Sequence, residues 1–444
     1  MTQFDFLILG SGILGTYALS KLDSQSRIGL IDAGDALIGL KDVEISSNLS
    51  YTSNAIRHSF NASVGQIWGG ATMGWPDFGQ SDTGGIPNLP ISDIELHKFE
   101  NIARSKLSIQ KKKYRRFQDS YPTDDSYFQN IYADISNDIF LNKINKLNKK
   151  HKNFTRLDNV VAIKILNRKN NLEIIAKNYS DDVIFTIATK KIILAMGTIE
   201  NTRILLNSAD QLEVFGNKFL GTNLADHLGV NLGEYKLLSS IFSSENTMEF
   251  KRISQNKWPR LRLVNKNIEV DSFAHVIKVN EPSLPYKMEK YISKLGVRRH
   301  QSLKGKTVQI QLFIEKVNDF NCKIFSVEKP SEDLLKIGID FNLQSSELRT
   351  INAIAKKYND FLITNKYAEK CESLEFIESR AITTACHPSG TLRMAASSEL
   401  GLVSKKSLLF SNKNVMVLGA GVLPRAAAIH PTLVSMAIAE LALS

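Results

Sequence analysis

The 444-residue sequence holds only three cysteines, Cys322, Cys371 and Cys386. Their number and spacing supply neither a disulfide framework nor a zinc site, which fits a reducing compartment. No basic leader or apolar signal region precedes the first hydrophobic segment, and no uninterrupted apolar stretch reaches membrane-spanning length. The reading is a cytoplasmic chain without a membrane span. His58, His97, His151, His275 and His300 sit in polar settings without metal-ligand spacing, so no metal is expected and they are given no role. Positive charge is in excess, with 56 Lys and Arg against 45 Asp and Glu, a net +11. The lysines are spread among asparagines at 143–153 and 167–178, as on a solvated surface. The one compact basic run, KKKYRR at 111–116, has no nucleic-acid-binding motif beside it. With 43% apolar and 23% charged residues the composition is ordinary. The length calls for two interlocked domains around a large core.

What is present begins at the N-terminus. In FDFLILGSGILGTYALSKL, a buried-strand run, Phe6 to Leu9, leads into Gly10, Gly12 and Gly15, and a helical pattern follows in Tyr17, Ala18, Leu19 and Leu22. Gly10 makes the tight turn, Gly12 admits a pyrophosphate against the backbone, and Gly15 lets helix and strand pack closely. A second strand, RIGLIDAG, ends in Asp32, placed to accept hydrogen bonds from ribose hydroxyls and to repel a 2′-phosphate, which disfavours NADP. These residues specify dinucleotide binding but leave FAD and NAD both open. Residues 40–150 are irregular rather than a run of βαβ repeats, which speaks against a simple NAD domain.

Alternating segments at 159–166, 171–177 and 182–189 predict a small meander. They run into KKIILAMGTIENTRILLNSA (190–209), an apolar strand that breaks at Gly197 and resumes as a helix, returning the chain to the dinucleotide sheet. Period-two patterns at 260–279, 306–317 and 336–343 predict a mostly antiparallel sheet on the substrate side. His227, in NLADH, is read as fastening the loop after the mid-chain strand.

Near the C-terminus, CHPSGTLRM (386–394) presents His387 from a turn, and a second His-Pro-Thr follows at 430–432. Cys386 could be read as a nucleophile, but no neighbouring residue supports it. Pro431 suits the first turn of a helix whose buried face carries Leu433, Met436, Ala437 and Leu441. A histidine near neutral pH has the proton affinity a base needs.

Taken together these segments resemble the glucose/methanol/choline (GMC) family of flavin-dependent oxidoreductases, with the bacterial sugar- and polyol-oxidising branch the most similar. Gly10, Gly12, Gly15 and Asp32 match its FAD fingerprint. ASVGQIWGGATMGWPDF (62–78) is similar to its second glycine-rich stretch, and 89–109 to the helix that follows. LAMGTIENTRILLNS (194–208), FGNKFLGTNLADHLG (215–229), CHPSGTLRM and the last thirty residues or so resemble its middle and C-terminal signatures. The resemblance implies an α/β fold: an FAD-binding Rossmann-like domain at 1–60, 150–230 and 395–444, and an α+β substrate domain on a mostly antiparallel sheet at 61–149 and 231–394. It implies non-covalent FAD, since no histidine lies between Ala62 and Phe78. Two departures stand out: Ala62 and Ser63 replace the usual glycine pair, and Gly65 is displaced.

Carried onto this chain, the resemblance implies FAD contacts from Gly10, Gly12, Ile13, Leu14, Gly15, Asp32 and Ala33. Further contacts are implied from Ala62, Ser63, Gly65, Trp68, Gly69, Val161, Ala162, Ala195, Gly197, Asn201, Gly419, Ala420, His430, Pro431 and Thr432. His387 would be the base, and His430 would hold the substrate oxygen. The implied substrate is a sugar, polyol or other small alcohol; oxygen, a quinone or a partner protein would reoxidise the flavin. Same-fold lyase or isomerase chemistry, or an FAD-stabilised binding subunit without activity, are the alternatives. Retention of both His387 and His430 argues against the last.

Overall fold

The computed structural model describes residues 3–33, 49–52, 89–107, 115–117, 126–131, 151–178, 180–239, 260–265, 270, 272–279, 304–316, 320–378, 381–384, 387–425 and 431–444. In chain order these form β1 (Gln3–Leu9), α1 (Ile13–Lys21), β2 (Ile28–Asp32), β3 (Leu49–Thr52), α2 (Asp93–Leu107), β4 (Arg115–Phe117) and β5 (Ser126–Ile131). Next come β6 (Phe154–Asp158), β7 (Val160–Asn167), β8 (Leu172–Asn178), β9 (Val183–Leu194), α3 (Gly197–Asn207), β10 (His227–Leu237), β11 (Arg260–Asn265) and β12 (Ser272–Val279). The chain closes with β13 (Thr307–Glu315), β14 (Lys323–Ser326), β15 (Ile337–Asp340), α4 (Ser345–Thr364), β16 (Ala368–Lys370), β17 (Ile382–Thr384), β18 (Val415–Val417) and α5 (Thr432–Leu443).

The first sheet has seven strands in the order β6-β2-β1-β9-β8-β7, with β18 also against β9. Strands β6, β2, β1, β9 and β18 run parallel, so their carboxyl ends share one edge. The segments expected as a separate strand at 182–189 and an apolar strand at 190–194 are one strand. The first part of β9 pairs antiparallel with β8, and the rest pairs parallel with β1 and β18. The sequence changes character where the partners change: β9 starts exposed and alternating and ends in buried Ile192, Ile193 and Leu194.

The second sheet has eight strands, in the order β16-β10-β13-β12-β11-β5-β4, with β17 also against β10. All its pairings are antiparallel. The period-two segment at 260–279 is two strands, β11 and β12, rather than one. The segment at 336–343 does not join this sheet: β15 sits between β14 and β3 and runs parallel to β3. Because side chains alternate across a strand, the register sorts the second sheet into two faces. Leu228, Val230, Leu312, Ile314, Ala274 and Ile382 pack with Ile351, Ile354, Ala355 and Tyr358 of α4 in one buried cluster. Each such fully buried aliphatic side chain contributes roughly 1.5–3 kcal/mol. The opposite face carries Gly229, Phe273, Gln311, Phe313 and Thr383.

Helix α5 departs from the expected single buried face. Val434, Ser435, Ile438, Ala439 and Glu440 are buried along with Leu433, Met436, Ala437 and Leu441. Its one acid, Glu440, accepts hydrogen bonds from the Tyr17 hydroxyl and the Lys21 ammonium of α1. Burial first, and then this carboxylate, push the Tyr17 phenol far above its ordinary value of 10.0. The phenol therefore stays protonated in the folded chain after it has ionised in the unfolded one. This contribution to stability is complete below about pH 10 and is lost as pH rises further. Denaturant unfolding of wild type should show stability falling between about pH 9 and about pH 11. Tyr17→Phe should fall less over that interval, and an identical fall in both proteins would refute the coupling.

Candidate active site at the carboxyl edge of the parallel strands

The glycine turn after β1 is built by close backbone approach. Gly10 has φ 98°, and a Cβ there would stand 2.6 Å from the Ala195 carbonyl oxygen; a Cβ on Gly15 would stand 1.9 Å from the Gly10 carbonyl oxygen. Gly12 differs, since among the described residues a Cβ there would meet only the Ala195 oxygen, at 3.9 Å. Gly12 is also the N-cap of α1. Among the described residues no side chain caps the N–H groups at the start of α1, an arrangement that fits a pyrophosphate. Asp32 lies at the tip of β2 and accepts a hydrogen bond from the Ser11 N–H at 2.6 Å, with Ala33 next in the chain.

Beside Asp32, Asp158 ends β6 in register. The chain then turns at Asn159 (φ 57°) into β7, so the buried Val161 and Ala162 follow directly from the strand that flanks Asp32. On the other side of β1, Ala195 and Gly197 (φ 83°) form the turn from β9 into α3. Asn201 braces this turn. Its Oδ1 accepts from the Met196 N–H and its Nδ2 donates to the Leu418 carbonyl, both at 3.0 Å, tying the ends of β9 and β18 together. Gly419 (φ 136°) and Ala420 follow immediately.

The loop carrying His387 lies on this same edge. The Thr198 hydroxyl, one residue into α3, donates to the Pro388 carbonyl. The Gly390 and Leu392 N–H groups donate to the Ala420 and Gly421 carbonyls at 3.3 and 2.8 Å. Gly390, with φ 88°, would put a Cβ 2.2 Å from the Asn223 carbonyl oxygen, which pins the loop against 223–225. His387 is thereby set beside Asp226 and His227, at the start of β10. Its backbone N–H donates to both carboxylate oxygens of the fully buried Asp226, at 3.0 and 3.2 Å. The two imidazoles meet edge to face, with centroids 5.1 Å apart and Nδ1 atoms 3.3 Å apart.

Beyond His227, the face of the second sheet opposite α4 carries Gly229, Gln311, Phe313, Phe273, His275 and Thr383 in register. Phe273 stacks on Phe313 at 5.2 Å, and the His275 ring meets both edge-on. A Cβ on Gly229 would stand 2.6 Å from the Thr383 hydroxyl and 2.9 Å from the Gln311 amide nitrogen. The missing side chain lets these two polar groups close over the strand. A cavity of about 320 Å³ lined by Leu228, Ile314, Lys316 and Glu347 opens at the start of α4. Leu228 and Ile314 belong to the core-side face, and the histidine pair and the glycine turn contribute nothing to that lining.

Glu315 lies opposite His227 in the ladder and accepts two hydrogen bonds from Arg425, at 2.9 and 2.8 Å. The carboxylate is 3% exposed and the guanidinium 16%. Removing one member of a pair this deep leaves a desolvated charge, and Glu315→Gln should cost about 3 kcal/mol in denaturant titration. The exposed Glu332→Gln should change stability by less than about 0.5 kcal/mol. Equal stabilities would show that the pair holds nothing in place.

Pro431 is the N-cap of α5, which starts at Thr432 without a side-chain cap. Ala62, Ser63, Gly65, Trp68, Gly69, His430 and Cys386 lie outside the described residues, as do His58 and His300. Among the described residues no cluster of His, Cys, Asp and Glu could hold a metal ion, and no helix is long and apolar enough to cross a membrane. Of the expected contacts, those from Gly10 to Ala33, Val161 to Asn201, and Gly419 and Ala420 are therefore brought to one edge with His387. The reading of His227 as a loop fastener missed its contact with His387. The adjacent acid and histidine in NLADH were a local signal, but their partner lies 160 residues away.

Residues 332–439 match the family model for GMC oxidoreductases. No curated protein sequence matches the chain. Among solved structures, pyridoxine 4-oxidase from Mesorbium loti aligns with TM-score 0.59 at 16% identity, covering 99% of this chain and 98% of that one. A formate oxidase of Aspergillus oryzae RIB40, in which FAD modification is described, aligns with TM-score 0.56 at 12% identity, covering 100% and 97%. Another formate oxidase structure gives 0.55 at 13%, again covering 100% and 97%. At these identities the likeness is one of fold, and it extends along the whole chain.

Proposed function

We propose that this chain, whose C-terminal region is that of a GMC oxidoreductase, is an FAD-dependent enzyme oxidising the CH–OH group of a sugar, polyol or other hydroxylated small molecule. One observation carries the reading: the glycine turn and the His387 loop lie on the same carboxyl edge of parallel strands, the loop tied by Thr198 to the neighbouring turn after β9. Ligands of open α/β sheets bind at that edge.

In this reading the N–H groups of Gly12 to Leu14 hold the pyrophosphate and Asp32 the ribose. Asn201, Gly419 and Ala420 would help hold the cofactor, and the N–H groups at the start of α5, Thr432 and Leu433, would favour negative charge on it. FAD, when bound, supplies the hydride acceptor at N5. His387 takes the hydroxyl proton while the hydride leaves the carbinol carbon, and His430 donates a hydrogen bond to the same oxygen. Gln311 and Thr383 supply polar contacts to further hydroxyls, and Phe313, stacked on the buried Phe273, supplies a flat apolar surface.

The cofactor part of this reading is tested first. Purified protein should be yellow and should release FAD into the supernatant on denaturation, as expected for non-covalent binding. A colourless protein that releases no flavin would sink the proposal.

A further inference from the structure

We propose that His227 is a positioning residue that holds His387 in the tautomer able to accept a proton, and that Asp226 fixes the loop presenting it. The inference rests on the reading of His387 as the base, and adds a residue that acts through His387 without touching substrate.

The geometry starts in the backbone. Asp226 is fully buried, and its carbonyl accepts the Lys316 N–H at 3.1 Å, which ties it to the end of β13. Its carboxylate accepts the His387 N–H and, at 2.6 Å, the His227 N–H. One side chain therefore fixes the main chain of both histidines. His227 is 1% exposed and sits in the β10 ladder opposite Glu315, so its ring has a rigid base.

A hydrogen bond between two ring nitrogens needs one to carry the hydrogen and the other to present a lone pair. With the Nδ1 atoms 3.3 Å apart, two arrangements exist. If His227 Nδ1 carries the hydrogen, neutral His387 has its own hydrogen on Nε2 and has no lone pair left for the substrate. If His387 Nδ1 carries it, Nε2 is a bare acceptor. Only the second serves a base.

The second arrangement also survives the reaction. The hydroxyl proton goes to His387 Nε2 as the carbinol hydride leaves, and His387 becomes a cation with hydrogens on both nitrogens. Its Nδ1–H still donates to His227, now as a charge-assisted bond that strengthens as charge develops. The neighbouring charges favour this order. Glu315 beside His227 is held by Arg425, and Lys316 is held by Glu347. The Asp226 carboxylate, bonded to the His387 backbone N–H, puts a negative charge beside the residue that becomes the imidazolium.

The test compares His227→Leu, which removes the acceptor, with His227→Asn, whose amide oxygen restores one near the place of Nδ1. In anaerobic stopped flow, flavin reduction at saturating alcohol should slow on the order of 30-fold in His227→Leu and return to within about threefold of wild type in His227→Asn. The alcohol dissociation constant and the FAD content should stay unchanged. In FAD-loaded protein without alcohol, histidine-selective ¹⁵N NMR should show the His387 hydrogen on Nδ1 in wild type and divided between the two nitrogens in His227→Leu. The His387 signal is assigned by its loss in His387→Asn. The inference is overturned by a wild-type rate in His227→Leu, by equal slowing of both variants, by a His387 hydrogen on Nε2 in wild type, or by an unchanged tautomer in His227→Leu. If the tautomer result holds while wild type is reduced by no alcohol, it is the functional reading that fails.

Discussion

Substitution of His387 by alanine should slow reduction of the bound flavin by an alcohol about a thousandfold, within the usual range for losing a positioned base. Alanine is a clean probe at this position. The contacts that seat its main chain run from its backbone N–H to Asp226 and through the Pro388 carbonyl to Thr198, and alanine keeps both while losing the ring contact with His227. FAD content and thermal midpoint should therefore match wild type while the reduction rate collapses. Unaltered reduction would mean that the proton goes elsewhere, and loss of FAD would mean that His387 supports the binding site instead.

The second large effect is expected at Gly15. Its backbone is unstrained, yet a single methyl group there would lie 1.9 Å from the Gly10 carbonyl oxygen, a contact that only backbone movement relieves. Moving that turn separates α1 from β1 and withdraws the N–H groups of the helix start. Gly15→Ala should yield protein purified without FAD and less stable by about 3 kcal/mol. Gly216→Ala is the matched control, because Gly216 has φ 76° but, among the described residues, nothing within 4 Å of an added Cβ. It should lose only about 1 kcal/mol, from the left-handed backbone, and keep its flavin. FAD retained at wild-type occupancy in Gly15→Ala would show that the turn does not hold the cofactor.

Both ends of the chain were legible because their signals are local. The Gly10–Gly15 turn, the Asp32 tip and the helix from Thr432 depend on residues close in sequence, and the structure forms each where the pattern puts it. The partner change within β9 was not legible, because the same extended residues serve an antiparallel neighbour first and parallel ones later. The burial of Glu440 was hidden for a related reason. Its partners Tyr17 and Lys21 come from the other end of the chain, and a lone acid near a helix end reads as exposed. Helix α4 carries a local signal in the sequence, since Gln344 and Glu347 form a capping box ahead of Ile351, Ile354, Ala355 and Tyr358. The pairing of His227 with His387 needed the fold, since it joins the start of β10 to a loop beyond β17.

The most direct measurement is anaerobic mixing of the FAD-loaded protein with a panel of sugars, polyols and other small alcohols while the oxidised flavin band is followed. It assumes no electron acceptor and tests cofactor, reaction and substrate class in one experiment. The predicted result is loss of the band with at least one alcohol, slowed about a thousandfold in His387→Ala. Flavin-loaded wild-type protein that keeps its band against the whole panel would contradict it.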